Sequence, residues 1–155
     1  MKGKTLGILV AVLTAALLLT GCVPNLTGSA SDKKAINELI NRYEQGMRGN
    51  SADALADLAN LPFVGSLGLE LMDRANVRWE YNQLFQIAEV LDYRVLEREI
   101  NLGKDEAVAE LTAYVKDRSR FGGPEDVYEE YRRLELRKAE GKWGIYKDEQ
   151  IGIVD

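Results

Sequence analysis

The chain has 155 residues, carries 20 basic and 25 acidic side chains, and has a formal net charge of −5. A chain of this size forms one domain with its own core, and its acidic balance without a basic stripe argues against nucleic-acid binding. It contains no histidine and one cysteine, which excludes histidine-based triads, an intrachain disulfide and most zinc and copper sites. We therefore expect no cofactor and no metal site.

The N-terminal segment has the three parts of a secretory signal: two lysines, an apolar run over 6–19, and small residues before Cys22. The tetrapeptide Leu19-Thr20-Gly21-Cys22 resembles the lipobox of bacterial lipoproteins. That resemblance implies cleavage before Cys22, with acyl chains on its sulfur and on its new amine. The alternative is an uncleaved transmembrane anchor, because the apolar run approaches the length of about 20 residues that spans a bilayer.

The signal sets the domain organisation: residues 1–21 are the signal peptide, 22–31 the lipidated cysteine and a flexible tether, and 32–155 one domain. The tether is inferred from its small, turn-forming residues. Removal of 1–21 takes away two lysines and no acids, so the net charge becomes −7. We expect a lipid-anchored protein of the cell envelope that faces the periplasm or the cell exterior and is attached to the membrane by its acyl chains.

The first half of the domain is predicted to be mostly helical. A cap at Ser31 or Asp32 begins a helix over 32–48, whose buried face is Ile36, Leu39, Ile40, Tyr43 and Met47. Ser51 caps a short second helix that ends before Pro62. Residues 61–71 are interpreted as an extended piece and a loop, with helix allowed from Leu69. A third helix is predicted over 79–91, with Tyr81, Leu84, Phe85, Ala88 and Leu91 on one face.

After Asp92 the hydrophobic period changes from helical to two. Strands are predicted over 93–102, 107–116, 128–138 and 143–148, with a loop at 118–126 and a short tail that contains Ile151 and Ile153. The second strand has a small apolar face: Ala107, Ala109, Leu111, Ala113 and Val115. Helices followed by consecutive hairpins indicate the α+β class, with helices on one face of an antiparallel four-stranded meander.

This order of elements is similar to that of the nuclear-transport-factor-2-like superfamily, the cone-shaped cystatin-like fold that includes SnoaL-like proteins. The similar parts are the long first helix with Ala35-Ile-Asn-Glu-Leu, the turn Gly49-Asn50-Ser51, and the closing hairpin over 131–148. The resemblance covers about 33–150 and implies a curved sheet that wraps the first helix around a conical pocket. It predicts the fold and says little about the function, because the fold serves many activities.

Enzymes of that superfamily place acid and base groups in the pocket. The resemblance to its ketosteroid isomerases implies a Tyr and a protonated Asp as oxyanion hole, with an Asp base. Tyr43 lies at a suitable depth for that Tyr. No Asp is found at an inward strand position, and Glu97, Glu99 and Glu110 qualify only if the faces of the sheet are reversed. We assign no catalytic residue.

Six aromatic residues could line a pocket for a hydrophobic ligand, or pack as core, which is commoner at these spacings; they are Tyr43, Trp79, Tyr81, Phe85, Tyr114 and Tyr131. Charge runs at 97–99, 129–130 and 132–133 are interpreted as a solvated sheet face with cross-strand ion pairs. Arg118 and Arg120 form a small basic loop.

We expect a non-enzymatic, membrane-anchored lipoprotein whose cone binds a small hydrophobic ligand or an envelope protein. The alternative is an isomerase, dehydratase or cyclase that uses a Tyr and a buried carboxylate in the cone. A third hypothesis is a homodimer through the sheet face, which would partly cover Tyr114, Tyr131 and Tyr146. A buried carboxylate that faces Tyr43 in an open cone favours the enzyme, whereas a cone filled by side chains leaves a role for the surface.

Overall fold

The computed structural model describes residues 29–154. The signal peptide, Cys22 and most of the tether lie outside these residues. The elements in chain order are α1 (Ala30–Arg48), α2 (Ala52–Ala56), β1 (Ala59–Val64), β2 (Glu70–Leu71), α3 (Arg74–Ile87), β3 (Ala88–Leu102), β4 (Glu106–Ser119), β5 (Glu125–Ala139) and β6 (Lys142–Val154). None of the helices within 29–154 is both long enough and apolar enough to cross a bilayer.

The strands form one curved sheet in the order β2-β1-β6-β5-β4-β3. Strands β3 to β6 are the predicted antiparallel meander. The sheet has two further strands, because β1 pairs in parallel with β6, and the two-residue β2 pairs with β1. The sequence signal for β1 is weak, since Pro62 has no N–H to give to a ladder. The helices pack on one face, which confirms the α+β class.

The core lies between α1 and the inner face of the sheet. All five apolar residues predicted for the first helix are at most 5% exposed. The predicted small face of β4 is also buried, from Ala107 to Val115. Because three of its five residues are alanines, this face leaves room for the bulky residues of α1. Leu134 and Leu136 of β5 complete the inner face as predicted.

The first helix begins earlier than predicted. Its cap is Ser29, not Ser31 or Asp32, and the Ser29 hydroxyl accepts from the Asp32 amide at 3.1 Å. Ser29 Oγ also donates to the Asp32 carboxylate at 2.9 Å, so Asp32 stabilises the cap from the first turn of the helix. The cap of the second helix, Ser51, is confirmed.

The third helix is shifted relative to its prediction. The Asp73 carboxylate accepts from the Asn76 amide at 2.8 Å and caps a helix that starts at Arg74 instead of Trp79. Residues 70–71 form β2, so helix from Leu69 was wrong. The helix ends at Ile87, and residues 88–91 belong to β3.

The last strand continues through the predicted tail to Val154. Its pairing with β5 shifts register twice, and the extra residues on β6 are Tyr146 and Ile151. Such bulges reverse the alternation of inward and outward side chains. After Ile145, the next inward residue is therefore Asp148, opposite the buried Leu134.

Candidate functional site

A cluster of charged and phenolic groups lies between the inner face of the sheet and helices α1 and α3. Glu130 and Arg132 face inward from β5 because they alternate in step with Leu134 and Leu136. Asp148 joins them from β6 because of the bulge at Tyr146. Three tyrosines complete the cluster, which we call the interior network: Tyr43, Tyr81, Tyr93, Glu130, Arg132 and Asp148.

Arg132 connects the two carboxylates. Its Nε and Nη2 donate to Glu130 Oε1 and Oε2 at 2.9 and 3.2 Å, and its Nη1 donates to Asp148 Oδ1 at 2.7 Å. The side chains of Arg132, Glu130 and Asp148 are only 11%, 3% and 4% exposed. Charges removed from water to this extent are stable only when they are paired with good geometry. The geometry here meets that condition.

The tyrosines satisfy the remaining carboxylate oxygens. The hydroxyls of Tyr43 and Tyr81 both donate to Asp148 Oδ2, at 2.8 and 2.9 Å. The Tyr93 hydroxyl donates to Glu130 Oε1 at 2.8 Å. Gln150 Nε2 donates to Glu130 Oε2 at 3.0 Å. Every oxygen of both carboxylates therefore accepts at least one hydrogen bond.

Burial and the nearby carboxylates fix the protonation of the network. Burial first, and then the charge of Asp148, raise the pKa of the Tyr43 and Tyr81 hydroxyls well above their ordinary value. Burial and Glu130 raise the pKa of Tyr93 in the same direction. Burial disfavours the charge of Arg132, but the carboxylates of Asp148 and Glu130 outweigh it and raise the pKa of its guanidinium. The phenols stay neutral and the guanidinium stays charged.

This arrangement differs from an oxyanion hole of Tyr and protonated Asp. An oxyanion hole needs donors that point at the ligand. Here the hydroxyl protons of Tyr43 and Tyr81 point at Asp148, and Asp148 accepts a hydrogen bond from Arg132 and cannot serve as a second donor. A ligand could use these groups only by breaking bonds that the network already makes.

The open space on the described part of the chain lies in grooves at the surface. A groove of about 480 Å³ opens beside the start of α1, and one of about 450 Å³ opens on the outer face of the sheet. The second groove has Arg132 of the interior network among its lining residues, but neither groove is lined by Asp148 or by a tyrosine of that network. Within 29–154, no three His, Cys, Asp or Glu side chains are grouped so that they could hold a metal ion.

The six aromatic candidates are separated into three places. Tyr43, Tyr81 and Phe85 are buried inside the cone, and the first two share Asp148. Trp79 is 63% exposed on α3. Tyr114 and Tyr131 lie on the outer face of the sheet, opposite Arg94 and Thr112. The six residues therefore do not line one pocket.

The lipidation candidate, Cys22, lies outside the described residues.

The charge runs also divide between the two faces. Glu97, Glu99 and Glu110 lie on the outer face, as the sheet alternation predicts, and line the groove there. Glu130 and Arg132 are buried, so their assignment to a solvated face was wrong. The alternation with Leu134 and Leu136 was the signal that could have found them. No such signal existed for Asp148, because the bulge at Tyr146 cannot be read from spacing.

The predicted basic loop has a structural role. Arg118 pairs with Glu89 at 2.9 Å. Arg120 donates to the Phe85 carbonyl through Nε, and its amide donates to the Ile87 carbonyl at 3.0 Å. Both arginines therefore fix the β4–β5 turn to the junction of α3 and β3.

No protein-family model and no curated protein sequence matches the chain. Solved structures do. A protein of unknown function with a cystatin-like fold from Nostoc punctiforme is 18% identical, with a TM-score of 0.58 over 79% of this chain and 91% of that one. A cystatin-like protein from Caulobacter vibrioides is 17% identical, with a TM-score of 0.63 over 79% and 89%. The chain has the cystatin-like, nuclear-transport-factor-2-like fold.

The same fold occurs in enzymes. A type 2 hexachlorocyclohexane dehydrochlorinase is 12% identical to this chain, with a TM-score of 0.65 over 80% of this chain and 88% of that one. At such identities the similarity shows the fold alone. The function of this cystatin-like domain has to be argued from its own residues.

Proposed function

We propose that the protein is a membrane-tethered binding module of the cell envelope, held by acyl chains on Cys22, that binds a partner protein through the outside of its cone. The lipobox-like Leu19-Thr20-Gly21-Cys22 supports the tether. The interior network supports a non-enzymatic role, because its donors and acceptors are already bonded to one another.

The observation that carries the proposal is a set of large apolar side chains, each 59–85% exposed, around one helix. We call it the α3 surface: Leu67, Leu69, Met72, Trp79, Ile87 and Phe121. Exposed apolar patches of this kind mark interaction sites in soluble domains.

Two sets of contacts fix these side chains around α3. The Glu80 carboxylate accepts from the Ser66 amide, which holds the loop with Leu67 and Leu69 against the middle of the helix. Arg120 bonds to the carbonyls of Phe85 and Ile87, which holds the turn with Phe121 at the end of the helix. The apolar groups are therefore presented on a supported surface, which lowers the cost of ordering them on binding.

The alternatives have less support. A small isomerase, dehydratase or cyclase would use a Tyr and a buried carboxylate, and Tyr43 does face Asp148. In that case the substrate has to displace Arg132 or a tyrosine from Asp148. A hydrophobic ligand inside the cone meets the same obstacle. For a homodimer through the sheet, the rings of Tyr114 and Tyr146 are already covered by Arg94 and Arg137 of the same chain. Tyr131, Val127 and Ile151 remain 39–55% exposed, which is less than the exposure of the apolar side chains around α3.

Photo-crosslinking in the native cell tests the α3 surface. A photoreactive phenylalanine analogue at position 79 should form a crosslink to an envelope protein, and the same analogue at Tyr114 on the outer sheet face should not. Ile87→Asp, eight residues further along the helix, should abolish the crosslink from position 79 because a carboxylate disfavours apolar contact. A crosslink that survives Ile87→Asp, or one that forms only from position 114, would contradict the proposal.

A further inference from the structure

We propose that the end of the domain from which the tether leaves docks on anionic lipid head groups and holds the domain upright on the membrane. This inference rests on the lipid anchor proposed above. The lipid-binding surface at this end is separate from the α3 surface.

Three parts of the chain meet at this end, which we call the tether end. In the first turn of α1, Asp32 accepts from Lys138 Nζ at 2.7 Å and from Trp143 Nε1 at 2.9 Å, so the helix starts against the β5–β6 hairpin. The Lys138 amide donates to the Asp105 carbonyl at 2.8 Å, which adds the β3–β4 turn. The groove of about 480 Å³ lies here and is lined by Arg42, Lys138, Lys142 and Trp143, among others.

Cations without an ion-pair partner are concentrated at the tether end. Of the 18 Lys and Arg residues in 29–154, eleven have a carboxylate oxygen within 4.0 Å. Three of the seven others are exposed at this end, namely Lys33, Lys104 and Lys142, and a fourth, Arg42, is exposed about three turns into α1, where it lines the same groove. Two carboxylates without a partner, Asp105 and Glu140, lie in the turns here, so a positive excess remains.

The opposite end of the sheet has the opposite sign. Strand β5 runs through 15 residues from one end to the other, a distance of about 45 Å at the usual rise of a strand. At the far end, Lys116 and Arg118 are paired with Glu125 and Glu89. Asp117, Asp126 and Glu129 have no cation within 4.0 Å among the described residues, and Arg120 is the one cation at this end without a carboxylate partner there, so a negative excess remains. An anionic membrane therefore attracts one end of the domain and repels the other.

The length of the tether keeps the tether end close to the head groups. Residues 22–28 separate the lipid from Ser29, and seven residues span at most about 25 Å when fully extended. The cationic end is thus confined near the bilayer, where a polybasic patch acts together with acyl chains. The domain as a whole is too acidic to lie flat on an anionic membrane. Because only the tether end is attracted, the domain stands upright, and Phe121 of the α3 surface lies far from the membrane.

The two tryptophans of the chain allow a direct test, because Trp143 lies at the tether end and Trp79 on α3. Trp79→Phe leaves Trp143 as the reporter, and Trp143→Phe leaves Trp79. The lipidated full chain is reconstituted in vesicles that carry a head-group nitroxide quencher, in either phosphatidylcholine or a phosphatidylglycerol-rich mixture. Trp143 should be quenched several-fold more in the anionic vesicles, and high salt should remove the difference. Trp79 should be quenched weakly in both.

A charge-matched pair of variants serves as control. Lys33→Glu with Lys142→Glu should remove the extra quenching of Trp143, whereas Arg74→Glu with Lys147→Glu should retain it. Equal quenching of Trp143 in the two kinds of vesicle, or stronger quenching of Trp79, would overturn the docking. Flotation with the vesicles reports the anchor separately: protein that floats without anionic-specific quenching refutes only the docking, and protein that does not float refutes the anchor and the docking together.

Discussion

Arg132→Met should lower the free energy of unfolding by about 3–5 kcal/mol, the usual cost of leaving a buried charge without its partner. Arg132 lies between Glu130 and Asp148, and both carboxylates are almost completely removed from water. The tyrosine hydroxyls cannot replace the lost positive charge. Urea denaturation of the mature domain measures the loss.

Two further variants separate the lost charge from other effects. Arg133 lies next on the same strand, half-buried on the outer face, and its Nε has no hydrogen-bond partner among the described residues. Arg133→Met removes no paired charge and should therefore change the stability by about 1 kcal/mol at most. Glu130→Gln, Arg132→Met and Asp148→Asn combined should recover part of the loss, because no buried charge remains and the amide oxygens still accept from the tyrosines, whereas the new amide N–H groups lack an acceptor. Equal losses for Arg132→Met and Arg133→Met would show that the interior network is not buried as described.

Alkaline pH should unfold the protein cooperatively. In the unfolded chain a tyrosine ionises near pH 10, whereas burial and the adjacent carboxylates raise the pKa of Tyr43, Tyr81 and Tyr93 above that value. A raised pKa means that the folded state retains protons that the unfolded state releases. The stability is therefore intact below pH 10 and falls above it, by about 1.4 kcal/mol per pH unit for each tyrosine and about 4 for the three together.

Phenolate absorbance and circular dichroism, recorded over the same pH range, measure the ionisation of the tyrosines and the loss of the fold. The chain has seven tyrosines, and four have a raised pKa, since burial and Asp117 raise that of Tyr128 as well. The absorbance of these four should appear only as the ellipticity is lost. Tyr81→Phe should reduce the pH dependence by about 1.4 kcal/mol per unit. Phenolate absorbance from all seven tyrosines while the fold is intact would contradict the closed interior.

Much of the fold could be predicted because its inner face is regular. The spacing of Ile36, Leu39, Ile40, Tyr43 and Met47 placed α1, and the small residues of β4 gave its buried side. Strands β1 and β2 could not be predicted in the same way. One contains a proline and the other has two residues, so neither has a period, and they are defined only by tertiary pairing, of β1 with β6 and of β2 with β1.

The interior network was missed for two physical reasons. Glu130 and Arg132 alternate in step with the core leucines, but charged residues are normally solvated. They are stable inside the domain only because their charges are paired with each other. Asp148 depends on the bulge at Tyr146, because strict alternation from Ile145 would bring Lys147 inward instead. A bulge depends on how two strands fit together, and the spacing of apolar residues in the sequence does not indicate it.

The exposed position of Trp79 on α3 was also not predicted from the sequence. The core side of α3 is defined by Val77, Tyr81 and Phe85, which recur every four residues. Trp79 follows Val77 by two residues, or about 200° around the helix, and so points away from the core. Beginning the predicted helix at Trp79 left out Val77, so Trp79 was grouped with the buried aromatics when it belongs to the exposed α3 surface.

The absence of histidine and of a second cysteine from the sequence agrees with what the interior contains. The only titratable groups of the interior network are two carboxylates, three phenols and a guanidinium, and these are bonded to one another. We therefore propose that the cone supports two surfaces: the tether end, which faces the membrane, and the α3 surface, which binds a partner.

Native mass spectrometry of the protein purified from its own membranes tests both the lipid anchor and the closed interior. We expect a chain that begins at Cys22 and carries acyl groups, either alone or with a partner protein, and without a stoichiometric small molecule. Two results would contradict this expectation: a chain that still contains residues 1–21, or a one-to-one complex with a small molecule that Tyr43→Phe abolishes.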